Sequence, residues 1–583
     1  MRRWLYPLGM LLTLLVAGIL ITTAIAKSHA ADKTRPSRQK EAPAQAKEQF
    51  SIKVEPFGPT QDQINETISL VTKDSAVQRL LSNNQNRLIS FEFLDPDNKK
   101  GDEQGPDRYR AWFYDYTNQR SVIALGSLKQ PGGLQVSTSL SQPLPSPEEF
   151  EAALGILAND QQFGLAVRAK RVWAYPPMPP LYFAPVTRGR AERVINVGLR
   201  ANAANDPALE RDDEVVAVNM SRQTVLRFPS GAPPTSSAAP AADCTPPPGS
   251  GSSTGRGIAG QYQFAINATD GTPLWNFLAV RPSASSGENG SAIELLDVKY
   301  KGKSVLKRAN VPILNILYDG NTCGPYRDWQ YAESQFNADP TAGANVAAGV
   351  RSCTVPATTV MESNVDSGNH QGIAYYTEGD AVVLVSEMSA GWYRYVSEWR
   401  FHADGKIQPR FGMGAVANGC TCNGHVHHVY WRFDFDIGAP SPNRVLETRG
   451  HDFNAFALSF EAKRYRDTKQ LTQTWIVDNS KTGDSYKIVA PSSDGFATGD
   501  AYARGDLWFL AYNASEMDDA STHGNSTQAN IDAFVTNQKL NNSDVVVWYA
   551  GHINHNRGMF NRFHPHSISG ALVAGPDLIP LRW

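Results

Sequence analysis

His425-Val426-His427-His428-Val429-Tyr430-Trp431-Arg432-Phe433-Asp434-Phe435-Asp436 is the stretch that decides how this chain folds. β-Branched and aromatic residues run through it, and His425 and His427 flank a single Val. Side chains two apart on a strand leave the same sheet face, so the two imidazoles are expected side by side. Related runs recur at Ala381–Val385, Trp399–His402 and Val545–Tyr549, punctuated by Gly, Asn and Asp. Residues 257–583 therefore read as one large antiparallel β-sandwich.

Working outward, the Pro/Ala/Ser/Gly-rich segment 229–256 cannot bury a core and reads as a linker. Two similar units precede it, at 53–139 and 140–228. The first opens on Pro59-Thr60-Gln61-Asp62-Gln63, where Thr60 and Gln63 are expected to form a capping box. Ile64, Ile68 and Val71 then supply a helical apolar face. The second opens on Ser146-Pro147-Glu148-Glu149, again a capping box, with Pro at the first helical position and Phe150, Leu154 and Leu157 repeating the spacing. Strand-like alternation follows each helix, at 109–123 and 191–199. The predicted class is α+β: two small tandem α+β domains followed by the large β-sandwich.

The N-terminus carries an address. Arg2 and Arg3 precede an apolar run from Trp4 to about Ala26, and Ser28-His29-Ala30 offers small residues for cleavage. Residues 1–31 read as an export signal, cleaved or retained as a single membrane anchor, and 32–52 as a flexible stalk. The body of the protein is thus expected to be secreted, periplasmic or at the cell surface. A formal net charge of −2, with no basic block along the chain, argues against a nucleic-acid partner. Five cysteines in an exported chain permit disulfides and leave one over. Cys323 and Cys353 read as a bridge and Cys244 as the odd one, while Cys420 and Cys422 are too close to pair easily with each other.

Ten of the 12 histidines follow position 400, which directs attention to the last domain. Two imidazoles on one strand face need a third ligand from elsewhere, and His552, His555, His564 and His566 are available. Three imidazoles with open positions suit copper or zinc. An isolated His-x-His is more often a surface or hydrogen-bonded pair, so spacing alone does not decide the matter.

The residues around that pair resemble the copper amine oxidases. The stretch from His425 to Asp436 is similar to that family's strand with His-Gln-His, an aromatic, Arg and Asp-x-Asp. Asp544-Val545-Val546-Val547-Trp548 followed by His555 resembles its last copper-ligand segment, which selects His555. His552 is then expected to be a structural or supporting residue. Asp434, Asp436 and Asp544, with the carbonyls of Phe435 and Val545, match a peripheral metal site, usually calcium, and oxygen ligands suit such a hard cation. Trp392-Tyr393-Arg394-Tyr395-Val396-Ser397-Glu398-Trp399-Arg400-Phe401-His402-Ala403-Asp404-Gly405 resembles the strand in which the family converts a tyrosine to topaquinone, with Tyr393 on the precursor. The chain departs from the family's Asn-Tyr-Asp/Glu at Trp392 and Arg394.

Further upstream, Tyr300-Lys301-Gly302-Lys303-Ser304-Val305-Leu306-Lys307-Arg308 is similar to another family strand. Tyr318 falls on the tyrosine that hydrogen-bonds the quinone. Tyr326-Arg327-Asp328 resembles the family's Tyr-x-Asp, making Asp328 the first choice for the catalytic base, with Asp319 and Glu333 open. Cys323 and Cys353 sit roughly where the family has a bridge. The resemblance implies oxidation of a small primary amine by molecular oxygen to an aldehyde, ammonia and hydrogen peroxide, with copper, topaquinone and a homodimer. Two other readings compete: an exported copper-binding relative that has lost the quinone, and a zinc hydrolase using the same imidazoles.

Overall fold

The computed structural model describes residues 50–583 apart from 95–104, 131, 179–191, 211–212, 228–248, 250, 319–324, 340–343, 417, 449–454, 467–472, 498–501, 503–504, 518–530 and 556–571. It is mostly antiparallel sheet. Two sheets, one of ten strands and one of twelve, face each other, and two separate four-stranded sheets precede them. Among the described residues no helix is long and apolar enough to cross a membrane. The N-terminal segment read as an export signal, Cys244, Cys323, Asp319, His564 and His566 all lie outside the described residues.

Each small sheet follows a pair of helices. Helices Gln61–Lys73 and Ser75–Leu81 lead into Asn86–Phe93, Arg108–Asp115, Arg120–Ser127 and Gln135–Ser139. Thr60 and Gln63 form the expected reciprocal capping box, satisfying two helix-end N–H groups at once. Helices Pro147–Ala158 and Gly164–Arg168 lead into Val172–Tyr175, Val194–Ala201, Asp213–Asn219 and Thr224–Arg227.

Ser146 caps the second long helix by accepting from the Glu149 N–H at 3.1 Å, but the box is not closed. The Glu149 carboxylate turns inward instead. It pairs with the Arg193 guanidinium at 2.9 and 2.6 Å and accepts from the Tyr116 hydroxyl at 2.6 Å. A buried guanidinium needs a counter-charge more than the helix end needs a second cap. The Tyr116 contact also ties the first small unit to the long helix of the second.

Phe50–Pro56, which spans the expected junction of stalk and first small unit, is a strand on the edge of the ten-stranded sheet. It pairs antiparallel with Gln261–Ala268, Phe50 opposite Ala268 and Pro56 opposite Tyr262. The last residues of the linker are docked as well: the Gly251 N–H donates to the Asp366 carboxylate at 3.1 Å, and the Thr254 N–H to the Glu333 carbonyl at 3.1 Å.

The two large sheets share one apolar core. Phe277 of one stacks on Phe401 of the other with ring centres 4.3 Å apart, and the Trp275 indole N–H donates to the His402 carbonyl. Two central strands carry the chemistry-bearing residues. His425–Phe435 lies between Lys303–Tyr318 and Val545–His555, with His425 opposite both Tyr318 and His555. Tyr393–His402 lies between Ala381–Ala390 and Ile407–Ala415 of the facing sheet. Central strands satisfy their backbone groups on both sides and hold side chains in fixed rows, so residues from the two sheets meet with defined geometry.

The Cys323–Cys353 bridge read from the sequence is not formed, because Cys353 is a free, buried thiol. It sits in an apolar cluster with Phe336, Ala357, Val360 and Tyr376, and burial pushes its thiol up to about 11. It behaves there as a small apolar core residue.

Candidate active site

Alternation along the His425–Phe435 strand puts His425 and His427 on the face toward the second sheet, and the register brings His555 directly across from His425. One ring nitrogen from each of the three lies within 4.8 Å of the others. His425 Nε2 and His555 Nδ1 are 2.8 Å apart. Two nitrogens each about 2.0 Å from one ion, at a right angle, would be separated by about that distance. The Asn423 carbonyl can only accept, so the proton of His425 is on Nδ1 and its Nε2 lone pair faces the centre.

His427 is fully buried, yet its Nε2 has no hydrogen-bond partner. An orphaned nitrogen in such a place has a physical account if it is a ligand atom. Burial lowers His425 to about 4, and burial followed by the neighbouring imidazoles holds His427 well below its ordinary value. All this favours neutral rings, the form that binds metal. The donor set fits copper or zinc.

From the facing sheet, Tyr393 enters with its hydroxyl 2.7 Å from His425 Nε2 and its ring edge-on to His427, centres 4.7 Å apart. The Tyr318 hydroxyl reaches it from the side at 3.4 Å. Asp328 is fully buried, its N–H held by the Leu314 carbonyl. One of its oxygens accepts from the Tyr395 hydroxyl, which is also 3.2 Å from His427 Nδ1. The other oxygen has no hydrogen-bond partner. Burial raises the Asp328 carboxyl well above the usual carboxylate range, the Tyr395 bond offsetting part of the shift. The charge of Asp328 is felt at both Tyr393 and Tyr318.

Glu333, left open as a base by the sequence, is already committed. It makes a two-pronged pair with Arg281 and accepts from the backbone and hydroxyl of Ser283.

The two departures around Tyr393 have separate explanations. Arg394 points to the opposite sheet face, where Asp366 takes its guanidinium at 2.6 and 2.8 Å. Its remaining N–H groups hold the carbonyls of Tyr393 at 3.0 Å and Gly391 at 3.2 Å. Trp392 occupies the two-residue turn before the strand and donates its indole N–H to the Tyr318 hydroxyl at 2.9 Å. Sequence reasoning did not single out Asp366 or Asn423. Asp366 carries no local signal, lying 28 residues from its partner.

Two further groups lie along the His425–Phe435 strand, the first at its other end. Carboxylate oxygens of Asp434, Asp436 and Asp544 come within 4.8 Å of one another, next to the paired residues Phe435 and Val545. Arg432 approaches Asp434 at 3.4 Å but is held more closely by Glu516, at 2.8 Å. On the far face of the histidine strand, His428 Nδ1 meets His552 Nδ1 at 2.9 Å, and Asp506 lies 3.2 Å from His552 Nε2. His552 therefore faces away from the triad, in line with a structural role.

The architecture is that of the copper amine oxidases. The chain is similar to a copper-containing benzylamine oxidase from Hansenula polymorpha, with a TM-score of 0.56, 12% identity, and coverage of 89% of this chain and 96% of that one. It is also similar to Pichia pastoris lysyl oxidase (TM-score 0.51, 12% identity, 90% and 89% coverage). A third is an Aspergillus nidulans amine oxidase (0.53, 14%, 90% and 88%). No protein-family model and no curated protein sequence matches the chain.

Proposed function

We propose that this chain is an exported amine oxidase that uses copper and a topaquinone made from Tyr393 to convert small primary amines, oxygen and water to aldehydes, ammonia and hydrogen peroxide. The observation that carries the proposal is the placement of the Tyr393 hydroxyl on His425, inside a triad of buried neutral imidazoles. In this reading His425, His427 and His555 hold the copper. A quinone supplies an electron sink that no unmodified side chain offers.

The protein's own residues then have defined tasks. Asp328, with one oxygen free of hydrogen bonds, takes a proton from the carbon next to the amine nitrogen. Burial, which raises its affinity for protons, favours its taking one up. Tyr395 holds the other carboxyl oxygen and so aims the free one. Tyr318 steadies the residue-393 ring from its oxygen edge. The surrounding aromatic side chains, Trp392 and Tyr326 among them, keep bulk water from the reacting groups.

Asp434, Asp436 and Asp544, with the carbonyls of Phe435 and Val545, are proposed to hold a calcium-like cation. A homodimer is proposed from the likeness. The names of the solved relatives point to benzylamine and lysyl side chains as first amines to try. The test is peroxide release from a panel of primary amines by copper-loaded protein in air. Copper bound without peroxide from any amine, and without a visible quinone band, would support a copper-binding relative that has lost the cofactor.

A further inference from the structure

Four side chains, Tyr393 among them, form a line of hydrogen bonds whose direction is fixed at both ends. At one end stands the Trp392 indole N–H, a group that can donate and cannot accept. It donates to the Tyr318 hydroxyl at 2.9 Å, leaving the Tyr318 proton to point onward to the Tyr393 hydroxyl, 3.4 Å away. At the other end stands the Asn423 carbonyl, which can accept and cannot donate. It holds the proton of His425 on Nδ1, so Nε2 can only accept, and it faces the Tyr393 hydroxyl at 2.7 Å.

With a pure donor at one end, a pure acceptor at the other, and His555 Nδ1, 2.8 Å from His425 Nε2, unprotonated as a metal ligand must be, each hydroxyl between has one way to turn. Burial strengthens each bond and couples it to the next. An Asn at position 392 would not impose this direction, because its amide both donates and accepts. Trp392 is free to reach sideways because it lies in the two-residue turn between Ala390 and Tyr393, where strand alternation does not apply. Gly391 takes the positive φ (+54°) of that turn, and the indole packs edge-on against Tyr326 with centres 5.5 Å apart.

We infer that Trp392 is a positioning residue which, through Tyr318, fixes the direction of the Tyr393 hydroxyl in metal-free protein, its proton toward His425 Nε2; a metal on that nitrogen would displace this proton, and the Tyr318 bond would still hold the Tyr393 oxygen beside the site. The inference deepens the proposed function and rests on it for its consequence: the residue to be oxidised is presented to the copper site in one orientation. Trp392 need not touch substrate to do this.

The test uses full-length protein as wild type, Trp392→Phe, Tyr318→Phe and the double variant. The first readout needs neither metal nor quinone: exchange of the Trp392 indole proton in metal-free protein, its signal assigned by its loss in Trp392→Phe. It should exchange about ten-fold faster in Tyr318→Phe than in wild type, the worth of one buried hydrogen bond. Equal exchange in the two proteins overturns the inference.

The second readout is the rate at which the visible band rises after Cu(II) and air are added, with bound copper measured alongside. Trp392→Phe should bind as much copper yet raise the band about ten-fold more slowly, and the double variant should be no slower than the slower single one. A wild-type rate in Trp392→Phe overturns the inference. A wild type with a protected indole and bound copper but no band contradicts the oxidase reading alone and upholds the orientation.

Discussion

The Tyr393 hydroxyl and His425 Nε2 stand 2.7 Å apart, although their strands belong to different sheets and neither side chain reaches solvent. Sequence neighbours could not have arranged this contact; the stacking of the two sheets does. If Tyr393 is the cofactor precursor, Tyr393→Phe should still bind one copper per chain and show neither a visible band nor amine turnover. Metal analysis and absorption spectra check this together, and turnover by Tyr393→Phe would rule the precursor role out.

Asp328→Asn keeps an oxygen to accept from Tyr395 and loses the ability to take a proton. Copper binding and the quinone band should survive, while kcat/KM for the best amine falls by about 10²–10⁴, the range for removing a general base. Steady-state kinetics decide the point. A loss of about two-fold or less would move the base elsewhere.

The Arg394–Asp366 pair is fully enclosed, and removing one partner strands the other charge. Asp366→Leu alone should cost about 3–5 kcal/mol, whereas Arg394→Met with Asp366→Leu should recover most of it. Urea midpoints of the two variants test this. A double variant no more stable than Asp366→Leu would mean that the hold on the Tyr393 and Gly391 carbonyls, not charge pairing, is what matters.

Glu387 offers a pH signature apart from the metal centre. Burial lifts its carboxyl to about 8 from the usual 4.5, against the pull of the Val360 N–H and Arg394. The folded chain keeps a proton there that the unfolded chain releases, so the stability it contributes is full below about pH 4.5 and is lost progressively as pH rises to about 8. Glu387→Gln stays neutral and should escape that loss. Its urea midpoint should pull ahead of wild type as pH rises across that window and hold a constant lead above it. A gap that does not change with pH would show that Glu387 is ionised in the folded protein.

What the sequence could and could not reveal follows the range of each signal. The pairing of His425 with His427 and the Thr60–Gln63 cap are set by residues two and three apart, so local periodicity exposes them. His555 was legible only through its interval from Asp544 in a resembling segment, and the strand register now puts it opposite His425. Asp366, the Glu149–Arg193–Tyr116 cluster and the edge strand Phe50–Pro56 depend on contacts between distant elements. No window of sequence carries them. Cys353 misled for a related reason: spacing suggests partners, whereas burial in an apolar cluster leaves its thiol alone.

The most direct test of the central claim is the mass of residue 393 itself. Metal-free protein is loaded with Cu(II) in air, treated with phenylhydrazine and digested, and the peptide carrying position 393 is weighed. The expected result is a tyrosine converted to the quinone and captured as its hydrazone, with conversion tracking bound copper. Unmodified tyrosine at 393 in copper-replete, aerated protein would contradict the account.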